Sequence, residues 1–126
     1  MRQKRGQMHT MSLEDFENYR PQRAPKIWFE RREFDMIMTL YGRGQLAGEW
    51  RDYAIDDSPL CVTFSMFRRA SERPLYQIEK RPALQSKQGQ WCILGATGQI
   101  LKRGHDLAGA LDVLERKLLK LVAVRD

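Results

Sequence analysis

The chain has 126 residues, of which 42% are hydrophobic and 30% charged, with a formal charge of +6 at pH 7. That length holds one domain with one modest core. No apolar run approaches the roughly 20 residues needed to span a bilayer, and the basic start MRQKRGQMHTMSLEDF lacks the apolar stretch of a secretory leader, so the chain reads as a cytoplasmic protein.

The charge is localised. Residues 68–105 carry eight Arg and Lys against Glu72 and Glu79, a local excess of +6, while residues 1–67 balance at ten against ten and 106–126 at four against four. Excess charge confined to one stretch implies a local field and a preference for an anionic partner.

Residues 1–25 show neither a strand nor a helix period and contain Pro21 and Pro25. They read as a flexible tail, with a transient helical turn conceivable over residues 9–17, and Met8 and Met11 as alternative starts. The folded domain is expected over residues 26–124. Lys26–Glu30 alternates weakly, as a short edge strand would. From Arg31 the period changes: Phe34, Ile37, Met38 and Tyr41 fall on one helix face. Glu33 and Asp35 sit near its positive N-terminal end. Gly42 and Gly44 weaken this helix, and Gly48 is the natural stop.

Strand patterns follow. Arg51–Asp56 alternates, with Tyr53 and Ile55 on one face. Asp57-Ser58-Pro59 is turn chemistry. Leu60–Phe67 places Leu60, Val62, Phe64 and Met66 inward and Phe67 outward. Leu75–Lys80 is a third strand with Tyr76 and Ile78 inward, Gly89–Gly95 a fourth, and Thr97-Gly98 turns into a fifth at Gln99–Arg103. The chain closes on a helix: Asp106 can cap it, and Leu107, Leu111, Leu114, Leu118 and Leu121 form a stripe. The expected fold is α+β, an antiparallel four- or five-stranded meander packed on one face by two helices and solvated on the other.

Motifs for chemistry are sparse. Gly42-Arg43-Gly44 lacks the strand-before, helix-after context and third glycine of a dinucleotide loop. His9, His105, Cys61 and Cys92 have no metal-ligand spacing. The two cysteines lie in apolar runs and read as buried, reduced hydrophobes, able to pair only if their strands are adjacent. Asp56-Asp57 falls in a solvated turn, where nothing separates the two pKa values. Arg68-Arg69-Ala70-Ser71 matches a basic-directed phosphorylation pattern, but so short a pattern arises often by chance and reads as a turn with a capping serine. The leucine stripe spans two heptads, too few for a coiled coil, and reads as a helix docked on the sheet, with a dimer seam as the alternative. No catalytic residue, metal or cofactor is expected.

The basic segment is the remaining lead. Phe67, Arg68, Arg69, Arg73, Lys80, Arg81, Lys102, Arg103 and His105 are the candidate site residues, on the expectation that they gather on one surface. Arginine beside an exposed aromatic on a sheet face can stack bases and hold phosphates. The partner would be nucleic acid or an acidic protein, and the protein a monomer or weak homodimer. The alternative function is a protein-interaction or assembly factor using the last helix or a sheet edge.

Three segments are also familiar in combination: FERREF (29–34); LYGR (40–43) through GEWRDYAID (48–56); and FRRASE (67–72) with PLYQIEK (74–80). With LKRGHDL (101–107) they resemble a family of small alphaproteobacterial proteins known only as a domain of unknown function, over about residues 26–122. The resemblance implies a bacterial cytoplasmic protein and brings no catalytic residues with it.

Overall fold

The computed structural model describes residues 27–69 and 72–125, so the tail expected at 1–25, and Ser71 of the phosphorylation pattern, lie outside the described residues. Helix α1 (Arg31–Leu46) is followed by strands β1 (Asp52–Asp57), β2 (Val62–Phe67), β3 (Tyr76–Lys80), β4 (Trp91–Leu94) and β5 (Ile100–Gly104), and by helix α2 (Leu107–Arg125). The strands form one antiparallel sheet in sequence order, β1-β2-β3-β4-β5. The expected meander is therefore present with five strands, each within two residues of its sequence boundary.

Strand alternation sorts the side chains. Val62, Phe64, Met66, Ile78, Trp91 and Ile93 lie in a single core with Ile37, Leu40 and Tyr41 of α1 and Leu107, Ala110, Leu111, Leu114 and Leu118 of α2. Both helices thus cover the same face. Aromatic rings knit α1 to the sheet: Tyr41 meets Phe64 at 6.0 Å and Tyr53 at 5.2 Å between centroids, and Tyr53 stacks on Phe64 at 5.0 Å.

Local chemistry fixes the element ends. The Glu30 backbone N–H donates to Glu33 Oε1 at 2.8 Å, satisfying one donor at the start of α1. Gly48, at φ 79°, ends that helix in the left-handed region glycine favours. Asp106 Oδ2 accepts from the Gly109 N–H at 2.9 Å and caps α2. Ser58 Oγ accepts from the N–H groups of Leu60 and Cys61, closing the β1–β2 turn.

Four expectations are corrected. Lys26–Glu30 supplies no strand among its described residues: 27–30 carry no regular secondary structure and are held to the core by the side chain of Phe29, which is buried with its ring 6.2 Å from that of Trp91. Leu60 is 62% exposed, since the Ser58 turn holds it outside β2. Leu121 is exposed because past Leu118 the packed face of the helix passes to Val122, which is partly buried against the core. The outer sheet face is not uniformly solvated either: Ser65 and Cys92 are buried there, and Gln77 Nε2 donates to Ser65 Oγ at 3.0 Å.

Gly44 has a packing role that its helix propensity hides. An added Cβ would stand 2.0 Å from Trp50 Cε3, and the Gly44 carbonyl accepts from Glu49 and Trp50 at 2.8 and 3.3 Å. The glycine lets the chain fold back against its own helix.

Candidate anion site at one end of the sheet

The antiparallel register decides where each basic side chain goes. β2 and β3 join through residues 68–75, at the end of the sheet where β1 begins. β3 and β4 join through residues 81–90, at the opposite end, where β5 also terminates. Val62 to Phe67 spans about 17 Å at roughly 3.4 Å per step. The cations therefore do not gather on one surface. Arg68, Arg69 and Arg73 lie at one end, and Arg81, Lys87, Arg103 and His105 at the other.

At the first end acids sit close by. Arg68 Nη2 stands 3.6 Å from the buried carboxylate of Glu49, and Arg69 Nη1 is 3.8 Å from Glu72. Arg73 is exposed. Phe67 is half-buried on the outer face, opposite Asp52. Lys80 is removed from any basic surface. Strand alternation turns it into the core beside Ile78, and its ammonium donates to Glu33 Oε1 at 2.6 Å and to the Trp28 carbonyl at 3.0 Å. It also stands 5.7 Å from the centre of the Trp91 ring. This ammonium ties β3 to the start of α1.

At the second end the register builds a rung across all five strands on the outer face: Asp56, Thr63, Glu79, Cys92 and Arg103. Arg81 lies beside it, with Nη2 at 3.3 Å from Glu79 Oε2 and 3.5 Å from Cys61 Sγ. The hydrogen bond to Glu79 raises the Arg81 pKa, with the carboxylate charge adding to it. Burial pushes the Cys92 thiol up, Glu79 adds to this, and Arg103 and Arg81 pull the other way. Arg103 Nη1 is buried and, among the described residues, has no hydrogen-bond partner. His105 Nε2 lies 3.2 Å from the Lys87 carbonyl, and Gln85 Nε2 donates to the His105 carbonyl at 3.3 Å, so the 81–90 connection is pinned to the end of β5. Gly89 permits this approach: a Cβ there would meet the Gly104 carbonyl carbon at 2.2 Å. Lys102 is exposed on the other face of the edge strand, opposite Ile93.

The cysteines are unpaired thiols. β3 lies between their strands, so two inter-strand steps of about 4.8 Å separate them, beyond the roughly 7 Å limit for a disulfide. Among the described residues no three His, Cys, Asp or Glu converge to hold a metal ion, and no helix is long and apolar enough to cross a membrane.

Sequence reasoning named Arg81, Arg103 and His105 but missed their companions Glu79, Cys61 and Cys92. Alternation put Glu79 and Arg81 on one face, a usable signal. That Arg103 shares a rung with Glu79, with Cys92 between them, required the strand order.

A family model described as "Protein of unknown function (DUF2794)" matches residues 27–111. The chain belongs to this family. The DUF2794 match covers α1, the whole sheet and the start of α2, and ends short of residue 122, where the sequence resemblance was expected to stop. The candidate end of the sheet lies wholly inside the match. No curated protein and no solved structure matches the chain.

Proposed function

We propose that this DUF2794 protein is a non-enzymatic binding module that takes a polyanion, single-stranded nucleic acid first, at the 81–90 end of the sheet. The reading is carried by Arg103: a guanidinium with one buried N–H that has no partner among the described residues, on a face where Arg81 and Arg103 both act on the Cys92 thiol and Glu79 is already hydrogen-bonded to Arg81. A buried donor left unpaired costs about 1–3 kcal/mol. A rotamer change that carries Nη1 to an anionic oxygen at the rim removes that cost. Arg81 and Lys87 supply further counter-charge at the same end of the sheet. Glu79 already engages Arg81, which leaves the Arg103 guanidinium for a second anion.

Three phosphate contacts, from Arg103, Arg81 and Lys87, predict a salt slope of about −2 for a single strand. Affinity for a mixed-sequence single-stranded oligonucleotide should fall about 20-fold between about 50 and about 200 mM salt. Arg103→Gln should weaken binding and flatten the slope. Arg73→Gln, at the far end, should do neither. Absence of binding at the lower salt, or equal effects of the two substitutions, removes the proposal.

A further inference from the structure

The sheet is open. β1 and β5 are its two edges, both helices cover one face, and among the described residues no strand lies against the far side of either edge. The edges carry opposite charge. β1 (Asp52–Asp57) holds three aspartates and no cation, while β5 (Ile100–Gly104) holds Lys102 and Arg103 and no acid. Asp52, Asp56 and Lys102 are exposed, and among the described residues neither they nor Arg103 form an ion pair. Each edge also exposes a large apolar side chain, Tyr53 at 45% and Ile100 at 57%.

We infer that β5 of one copy pairs with β1 of the next, so that the chain assembles head to tail through its sheet edges. Charged edges ordinarily keep sheets apart. Here that protection acts only between like edges. β1 against β1 sets aspartates together, and β5 against β5 sets cations together, but β5 against β1 sets unspent charges of opposite sign side by side. The charge pattern thus selects the unlike edge of a second copy. The register agrees with this. Four antiparallel steps separate β1 from β5, so the two run in the same direction. A copy displaced along the rungs, with its helices on the same side, adds its β1 parallel to β5. The rung that ends in Arg103 begins with Asp56, and the rung that ends in Ile100 begins with Ala54, the neighbour of Tyr53. The displacement therefore brings Asp56 of the second copy to Arg103, and its Tyr53 beside Ile100. A pair made this way keeps one edge of each kind, so association continues past two copies, and sheet twist coils the assembly. Arg103 belongs both to this edge and to the anion site. The test accordingly uses no nucleic acid and leaves Arg103 unchanged, so either reading can fail alone.

Sedimentation velocity of the full chain from about 10 µM to about 1 mM tests the inference. The mean mass should climb from 14.8 kDa past twice that value. Asp52→Lys/Asp56→Lys reverses the acidic edge, and Ile100→Glu/Lys102→Glu reverses most of the basic one. Each double variant alone should associate about 10-fold more weakly than the parent, the effect of upsetting two exposed charge pairs. Both should melt with the parent, because the replaced side chains are exposed. Mixed one to one, the first variant offers an intact β5 and the second an intact β1. The mixture should regain the parent affinity and stop at a 1:1 dimer. A parent that is monomeric over the whole range overturns the inference. So does a variant that associates alone as well as the parent, or a mixture no heavier than its parts.

Discussion

Lys80→Met separates a core lysine from a ligand-binding one. The substitution keeps an unbranched side chain one atom shorter but removes the ammonium, and with it the charge 5.7 Å from the Trp91 ring centre. Glu33, with its side chain 16% exposed, then loses the ammonium 2.6 Å away, and the Trp28 carbonyl loses its 3.0 Å donor. Removing one partner of a buried ion pair costs about 3–5 kcal/mol. The partial exposure of Glu33, and the backbone N–H of Glu30 that it still accepts, place the cost near the lower figure, about 3 kcal/mol. For a domain of about 100 residues each kcal/mol moves the midpoint by about 4–8 °C, so the melting temperature should fall by about 12–24 °C. Adding Glu33→Gln should recover part of the loss, with a coupling of about 1–3 kcal/mol in the double-mutant cycle. Differential scanning calorimetry of the four proteins measures this. A Lys80→Met midpoint within about 4 °C of the parent would show that the ammonium is not a structural tie. Loss of oligonucleotide affinity in a folded Lys80→Met protein would put the residue back on the binding surface.

The two glycines of α1 should respond with opposite signs. Gly44→Ala drives a methyl against the buried Trp50 ring and should cost about 1–3 kcal/mol on denaturant titration. Gly42→Ala meets nothing within 4 Å and should stabilise by about 0.5–1 kcal/mol through helix propensity. Native-state alkylation followed by mass spectrometry should modify Cys61 first, because Cys92 is 1% exposed and its thiol is held protonated by burial. Stability should decline in alkali. Burial raises Cys92 above its ordinary 9.0 and Tyr76 above 10.0, and raises Tyr41 with help from Asp52 and Tyr53. The folded chain therefore keeps protons that the unfolded chain releases, and unfolding free energy drops as pH rises through 9 and then 10. A flat profile between pH 8 and about 11 would contradict this.

The fold was largely legible because period-2 and period-3.6 patterns report burial directly. Val62, Phe64 and Met66 alternate, and the structure buries all three. Failures occurred where a residue's role depended on something distant in sequence. Gly44 is a weak helix former by propensity, yet Trp50 requires it. Leu121 continues the leucine spacing, but after Leu118 it is Val122 that packs against the core, one step off that spacing.

The candidate site was less legible, because net charge per segment is a one-dimensional quantity and a meander folds it back on itself. Each hairpin sends successive connections to opposite ends of the sheet. Arg68, Arg69 and Arg73 therefore part company with Arg81 and Lys87, although only a few residues separate them along the chain. Alternation divides them again: Lys80 goes to the core and Arg81 to the outer face, Lys102 to one side of β5 and Arg103 to the other. Of a segment excess of +6, what stays at one end of the sheet is Arg81, Lys87 and Arg103, with Glu79 paired to Arg81. Binding energy by charge depends on how many cations an anion meets within a Debye length of about 8 Å at physiological salt. The salt slope of Arg103→Gln against that of Arg73→Gln therefore reads the three-dimensional grouping directly. A charge count along the sequence makes the two substitutions equivalent, and the register makes them different.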